Sequence, residues 1–202
     1  MRKLILLMRK LILLIMMATV ALSAQDKSLK RGTYAHFETS MGTFTAQLET
    51  QLAPKTVANF IGLARGTREW KDPKTGQVVT GKPFYEGMIF HRVVENLIIQ
   101  SGDPTGMGSG GSGFAIQDEF SPQLRHDRAG VLSMAKPGTP HSATSQFFVT
   151  LAEARELNNM NAVFGQVVRG MDVVRKIGST RTRNERPVTP VVLQKVRIEI
   201  VP

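Results

Sequence analysis

The stretch Phe90–Asp103, FHRVVENLIIQSGD, decides how the rest of the chain is read. It holds two short β-rich segments, and successive side chains along a strand point to opposite faces. Ile98 and Gln100 therefore share one face. In Ser145–Val149, SQFFV, the same alternation pairs Gln146 with Phe148. Together with Arg92, these residues mark a common concave surface on which a single cation stands beside an apolar floor. His91 precedes Arg92 and points the other way, which makes it a core histidine rather than a base.

Outward from this stretch the chain reads as short strands with two helices. Tyr34–Thr39 and Thr43–Leu48 alternate apolar and polar around Met41-Gly42, a hairpin pattern. Pro54–Gly66 reads as a helix: proline suits its first turn, Val57, Phe60, Ile61 and Ala64 form one apolar stripe, and Gly66 stops it. Thr67–Pro83 is a polar insertion with a DPKTG turn at Asp72–Gly76, expected as a protruding hairpin whose Trp70 is a packing anchor. Strands are expected at Met88–Val94, Leu97–Ser101, Gly130–Ala135, Gln146–Leu151, Val163–Val168 and Val191–Val201. Met171–Ile177 is a short helix with Asp172 near its start and Arg175 and Lys176 near its end, charges that complement the helix dipole. Many short strands with two helices predict a closed, mainly antiparallel β-barrel capped at its ends.

The amino terminus reads as a signal peptide over residues 1–24, followed by a polar leader over 25–31 and one domain over 32–202. Arg9 and Lys10 form a charged region, Leu11–Leu22 an apolar one, and small residues suit cleavage after Ser23 or Ala24. The expected location is exported, periplasmic or secreted, with membrane attachment only through this segment if it stays uncleaved. MRKLILL occurs at Met1–Leu7 and again at Met8–Leu14, so Met8 is the favoured translation start. Four of the 26 Lys and Arg residues and none of the 16 Asp and Glu residues lie in the segment, so its removal lowers the net charge from +10 to +6. The remaining positives are dispersed, which argues against nucleic-acid binding; the dense run Arg181–Arg186 reads as a solvated loop.

Cofactor chemistry finds no foothold. There is no cysteine, and His36, His91, His126 and His141 lack metal-ligand spacing, so neither a metal nor another cofactor is expected. Asp118 and Glu119 form no evident acid/base pair. Gly106–Gly111 and Gly108–Gly113 match G-x-G-x-x-G, but no helix start follows them and Pro104 interrupts the approach. These glycines read instead as a tight loop beside the groove.

The ordered set APKTVANFIGLA (Ala53–Ala64), FHRVV, GDPTGMGSGGSG, GVLSMA (Gly130–Ala135), SATSQFFV and AVFGQVVRGMDVV resembles the cyclophilin family of peptidyl-prolyl cis/trans isomerases over almost the whole mature chain. The resemblance implies a closed antiparallel eight-stranded β-barrel capped by two α-helices, a monomer, and proline-containing unfolded or flexible polypeptides as partners. It implies Arg92 as the central catalytic residue, with Gln100 orienting it and Phe148 as the floor beneath the proline ring. Leu97, Ile98, Ala135, Lys136 (through its backbone), Gln146, Leu157 and Asn161 match positions that line the peptide groove. Rotation about a peptide bond is resisted by about 18–20 kcal/mol of barrier. A cationic donor directed at the prolyl nitrogen favours the deconjugated state, and guanidinium presents its donors in a rigid fork.

Leu97 stands where many members carry phenylalanine, Glu156 where some carry tryptophan, and Asn161 where histidine commonly closes the pocket. These departures predict a shallower, less aromatic pocket and weak binding of the family's cyclic-peptide inhibitor. They also motivate an alternative reading, a catalytically weak proline-peptide chaperone or scaffold. The leading expectation remains an isomerase that assists the folding of exported proteins.

Overall fold

Strand alternation is realised first in a hairpin, β1 (Gly32–Thr39) with β2 (Gly42–Leu48), closed by the two residues Ser40 and Met41. Phe37 and Phe44 face each other across it and stack with ring centroids 4.5 Å apart. The computed structural model describes residues 28–202, of which Arg31–Pro202 form one compact unit. The expected signal segment and residues 25–27 of the leader lie outside the described residues.

Helix α1 (Pro54–Arg65) begins with proline in its first turn and ends at Gly66, whose backbone is left-handed at φ 72°. A Cβ at Gly66 would stand 2.5 Å from the Lys82 carbonyl carbon, so glycine is required there by conformation and by close approach. The N-cap residue, Ala53, offers no side-chain acceptor. Glu119 supplies one from 63 residues away: its carboxylate accepts the amides of Lys55 (3.1 Å) and Thr56 (2.7 Å) and the Thr56 hydroxyl (2.8 Å). A carboxylate at a helix N-terminus also answers the positive end of the dipole.

The remaining chain forms β3 (Trp70–Lys71), β4 (Val78–Val79), β5 (Met88–Ile89), β6 (Arg92–Val94), β7 (Ile98–Ser101), β8 (Val131–Met134), β9 (Phe147–Thr150), β10 (Val163–Arg169), helix α2 (Met171–Gly178), β11 (Thr182–Arg183), β12 (Arg186–Pro187) and β13 (Val192–Val201). Nine strands join one antiparallel sheet in the order β5-β13-β1-β2-β10-β8-β9-β7-β6. Its two edge strands, β5 and β6, are halves of the single run expected at Met88–Val94, separated only by Phe90 and His91. That run pairs with β13 through one half and with β7 through the other. The sheet therefore wraps onto itself, and the nine hydrogen-bonded strands are the eight expected, one of them broken in two.

Phe60 of α1 plugs the interior. Its ring lies 5.9 Å from Phe37, 5.0 Å from Tyr85, 5.8 Å from Phe147 and 5.1 Å from Phe164, and all five are buried. The insertion forms the β3–β4 hairpin, and Trp70 anchors it: the indole meets Phe84 edge-on at 5.1 Å and donates to the Lys82 carbonyl (3.2 Å). The run Arg181–Arg186 is exposed as expected, but it is ordered as a second hairpin, β11–β12, not an irregular loop.

Two histidines are buried neutral. His126 makes hydrogen bonds to Ser133 Oγ (3.0 Å) and Asn158 Oδ1 (3.2 Å) and stacks against Phe148. Burial holds it, and likewise His91, below the ordinary histidine range. The unfolded chain then takes up protons first as the pH falls. The contribution of their neutral forms is complete above about pH 7 and declines as the pH falls below about 6.5, the unfolded value, toward the lower folded values. Urea denaturation across pH 5–8 should show this decline, with a shallower slope in His126→Gln; an unchanged slope would refute the assignment. Glu119→Ala should lower unfolding free energy by about 1–2 kcal/mol, the ordinary cost of removing a helix cap, in the same measurement at pH 7.

Candidate active site

Cross-strand register brings the expected catalytic residues into one row. Arg92 on β6 pairs with Gln100 on β7, Gln100 pairs with Phe148 on β9, and Phe148 pairs with Ser133 on β8. The adjacent row, Val93, Ile99, Val149 and Leu132, is buried and points into the barrel. Arg92, Gln100 and Phe148 therefore stand on the barrel's outer face, because alternate residues point opposite ways. The phenylalanine pair of SQFFV is divided the same way: Phe147 joins the core cluster and Phe148 faces the site.

A cavity of about 510 Å³ opens over this row. Arg92, Gln100 and Phe148 line it, with Leu97, Ile98, Ala135, Lys136, Leu157 and Asn161. Gln146 lies in the adjoining groove of about 890 Å³, which shares Gln100, Ala135 and Lys136 with the first. Every expected site residue thus borders one of two connected depressions. Among the described residues, Phe148 is the only Phe, Tyr or Trp lining the smaller cavity, in keeping with the less aromatic pocket expected. Glu156 is exposed and does not line it, while Asn161 donates to the Met134 carbonyl (2.9 Å).

A chain of amides holds the arginine. Gln146 Nε2 donates to the carbonyls of Gly108 (3.0 Å) and Gly110 (2.7 Å). Gln100 Nε2 donates to Gln146 Oε1 (2.8 Å), and Arg92 Nη1 donates weakly to Gln100 Oε1 (3.4 Å). The glycine loop that begins this chain is itself organised by Asp103. That carboxylate accepts from Thr105 N and Oγ1 (2.7 and 2.8 Å), Gly108 N (2.5 Å) and Gly110 N (3.1 Å). Burial opposes its charge, but these donors prevail and hold it below the ordinary carboxylate range. Three of the loop's amides, those of Thr105, Gly108 and Gly110, are thus spent on an internal carboxylate. Gly110 is required because a Cβ there would fall 2.2 Å from Asp103 Oδ1.

Lys136 was expected to line the groove through its backbone, and its side chain has another task. Its ammonium pairs with Asp118 at 2.5 Å, with side chains only 9% and 3% exposed. Asp118 also accepts the His141 amide (3.0 Å). His91 is buried, yet it borders the same cavity as Arg92 rather than facing wholly away from it, and among the described residues neither ring nitrogen has a hydrogen-bond partner. No cluster of His, Cys, Asp or Glu suited to a metal occurs among the described residues.

Sequence reasoning missed three contributors. Asp103 is legible in retrospect as the Asp of an Asp-Pro-Thr turn. Asn184, Glu185 and Arg186 wall the cavity from the β11–β12 hairpin, and Asn-Glu between two arginines was a turn signal passed over as charge. The insertion hairpin reaches the larger groove through Lys71, Asp72, Pro73 and Gly76, which nothing in its own sequence announces.

Residues 34–198 match the family model described as cyclophilin type peptidyl-prolyl cis-trans isomerase/CLD. Peptidyl-prolyl cis-trans isomerase A of Mycobacterium tuberculosis is 42% identical over 167 residues, covering 81% of this chain and 91% of that protein. Peptidyl-prolyl cis-trans isomerase B of Streptomyces anulatus is 41% identical over 170 residues, covering 82% and 96%. Among solved structures, a Cryptosporidium parvum cyclophilin type peptidyl-prolyl cis-trans isomerase superposes with a TM-score of 0.73 at 28% identity, covering 84% of this chain and 99% of that one. The same protein in the presence of the dipeptide Ala-Pro gives 0.71 at 29%, covering 82% and 98%. With the wrapped antiparallel barrel and the Arg92–Gln100–Phe148 row already in place, these likenesses establish that the chain belongs to the cyclophilin-type peptidyl-prolyl cis-trans isomerase family.

Proposed function

We propose that Arg92 is the catalytic residue of X–Pro isomerisation in this chain, with Phe148 as the floor for the proline ring and Gln100 as the group that orients the guanidinium. The observation that carries this is the row itself: a 42%-exposed cation, one strand position from Gln100 and two from Phe148, at the rim of a depression whose apolar part is Leu97, Ile98, Phe148 and Leu157. Ile98, Leu97 and Leu157 supply the apolar walls. Ala135 and the backbone of Lys136 border the groove along which a peptide lies, and Gln146 and Asn161 supply its polar side chains. Crystals of the Cryptosporidium relative with Ala-Pro support a proline-containing peptide as ligand.

The chemistry asked of Arg92 is limited. A hydrogen bond to a charged group contributes about 1.5–3 kcal/mol, or about one to two decades of rate. The rest comes from holding the proline ring and the peptide in a fixed relation while the other half turns. Arg92→Ala should therefore lower kcat/KM about 10- to 100-fold on an X–Pro peptide without unfolding the protein. Arg92→Lys should fail to restore it, because ammonium lacks the planar fork. Undiminished turnover in a folded Arg92→Ala protein would remove Arg92 from the mechanism.

We further propose that the enzyme works on polypeptides newly delivered outside the cytoplasm, as a monomer. Support comes from the signal-like residues 1–24 and from the slowness of uncatalysed isomerisation, tens to hundreds of seconds. Mass spectrometry of the protein made from the full sequence in a bacterial host should find an amino terminus at Ala24 or Gln25 in the exported fraction. Recovery of only the intact chain from the cytoplasm would refute export.

A further inference from the structure

The turn joining β11 and β12 consists of Asn184 and Glu185, at φ 51° and 61°, between the paired residues Arg183 and Arg186. Two successive left-handed residues define a hairpin turn in which glycine is strongly favoured at the second position. This chain places glutamate there. The turn is held against the site at three points. The Val93 amide donates to the Glu185 carbonyl (2.7 Å), Arg186 Nη1 donates to the Gly106 carbonyl (2.7 Å), and Arg92 Nε donates to Glu185 Oε2 at 2.6 Å.

We propose that Glu185 is a positioning residue for the isomerisation: from its left-handed turn, its carboxylate grips Arg92 Nε and sets the plane of the guanidinium over the proline cavity. Gln100 touches the opposite end of the fork at Nη1. Two anchors at two ends fix a planar group's orientation, where one leaves it free to swing about the contact. Of the five N–H donors of arginine, three then remain for the substrate. The 3.4 Å contact to Gln100 is long for a hydrogen bond, whereas the 2.6 Å contact to Glu185 is short and charge-assisted, so Glu185 is the stronger of the two anchors. The pair is half exposed, at 42% and 50%, so it orients Arg92 without burying it away from a peptide.

This rests on Arg92 as the catalytic group, and the experiment separates the two claims. Turnover by the wild-type protein and its loss in Arg92→Ala test Arg92; Glu185 is then tested with Glu185→Gly and Glu185→Gln on an uncharged X–Pro peptide. Glu185→Gly relieves the left-handed strain and should raise the melting temperature by about 2–4 °C, yet lower kcat about two- to fivefold with little change in KM. A purely structural residue would move stability and activity in the same direction. Glu185→Gln keeps the strain and the side-chain length but loses the charge, and should show the same loss of kcat. Raising salt from about 0.05 to 0.5 M should bring wild-type kcat toward that of Glu185→Gln and leave the variant unchanged, since screening weakens exposed pairs. If Arg92→Ala is inactive but Glu185→Gly turns over as fast as or faster than wild type, the positioning role is overturned. If Glu185→Gly loses stability, the Gln variant decides: reduced kcat at wild-type melting temperature supports the role, and full kcat refutes it.

Discussion

The contact between Phe60 and Phe147, ring edge to ring face at 5.8 Å, governs where everything else in the site can lie. Phe147 points into the barrel, so its neighbours Gln146 and Phe148 must point away from it. Phe60 holds Phe147 there from the buried face of helix α1, whose other face is exposed. The apolar interior and the exterior face that carries the Arg92–Gln100–Phe148 row are thus two faces of the same three strands. A void left by truncating Phe60 would cost about 3–5 kcal/mol and would loosen the floor of the site from behind.

The site is also held from outside, and by different means. Asp103 gathers the glycine loop around its carboxylate, the loop's carbonyls orient Gln146, and Gln146 orients Gln100. Each link is an ordinary hydrogen bond worth about 1 kcal/mol on balance. Their value lies in direction: every amide in the series has its donor and acceptor ends assigned by the one before it. Substitution of Gly110 would bring a Cβ against Asp103 and disturb the whole series from the wall of the larger groove.

Much of this was legible in the residues, for a physical reason. Strand alternation assigns faces without knowledge of partners, so Arg92, Ile98, Gln100, Gln146 and Phe148 could be grouped before any strand order was known. Helix α1 was equally plain, because Pro54 and Gly66 mark its ends by backbone chemistry alone. What could not be read were contacts made across long sequence distances. Glu119 caps a helix 63 residues earlier, Lys136 turns its side chain to Asp118, and Glu185 reaches Arg92 across 93 residues. In the sequence Glu119 and Glu185 look like ordinary surface charges, and Lys136 like a groove residue acting through its backbone. Local composition does say that such groups sit near water, and it was right about their exposure in the β11–β12 hairpin. It carries no information about which neighbour the fold brings alongside.

The departures at Leu97, Glu156 and Asn161 take on a narrower meaning in this light. Leu97 and Asn161 line the cavity without adding an aromatic ring, Glu156 stands outside it, and all three leave the row of Arg92, Gln100 and Phe148 and its supports untouched. Proline-ring affinity depends on the lining, since buried apolar area contributes about 25 cal/mol per Å². Lowering the rotational barrier depends on the orientation of the guanidinium relative to the bond that turns. On the roles proposed for these residues the two demands fall on different side chains, so a pocket with less aromatic surface keeps the geometry of the Arg92 row. The row is placed by strand register, whereas much of the wall around it comes from loops and the β11–β12 hairpin.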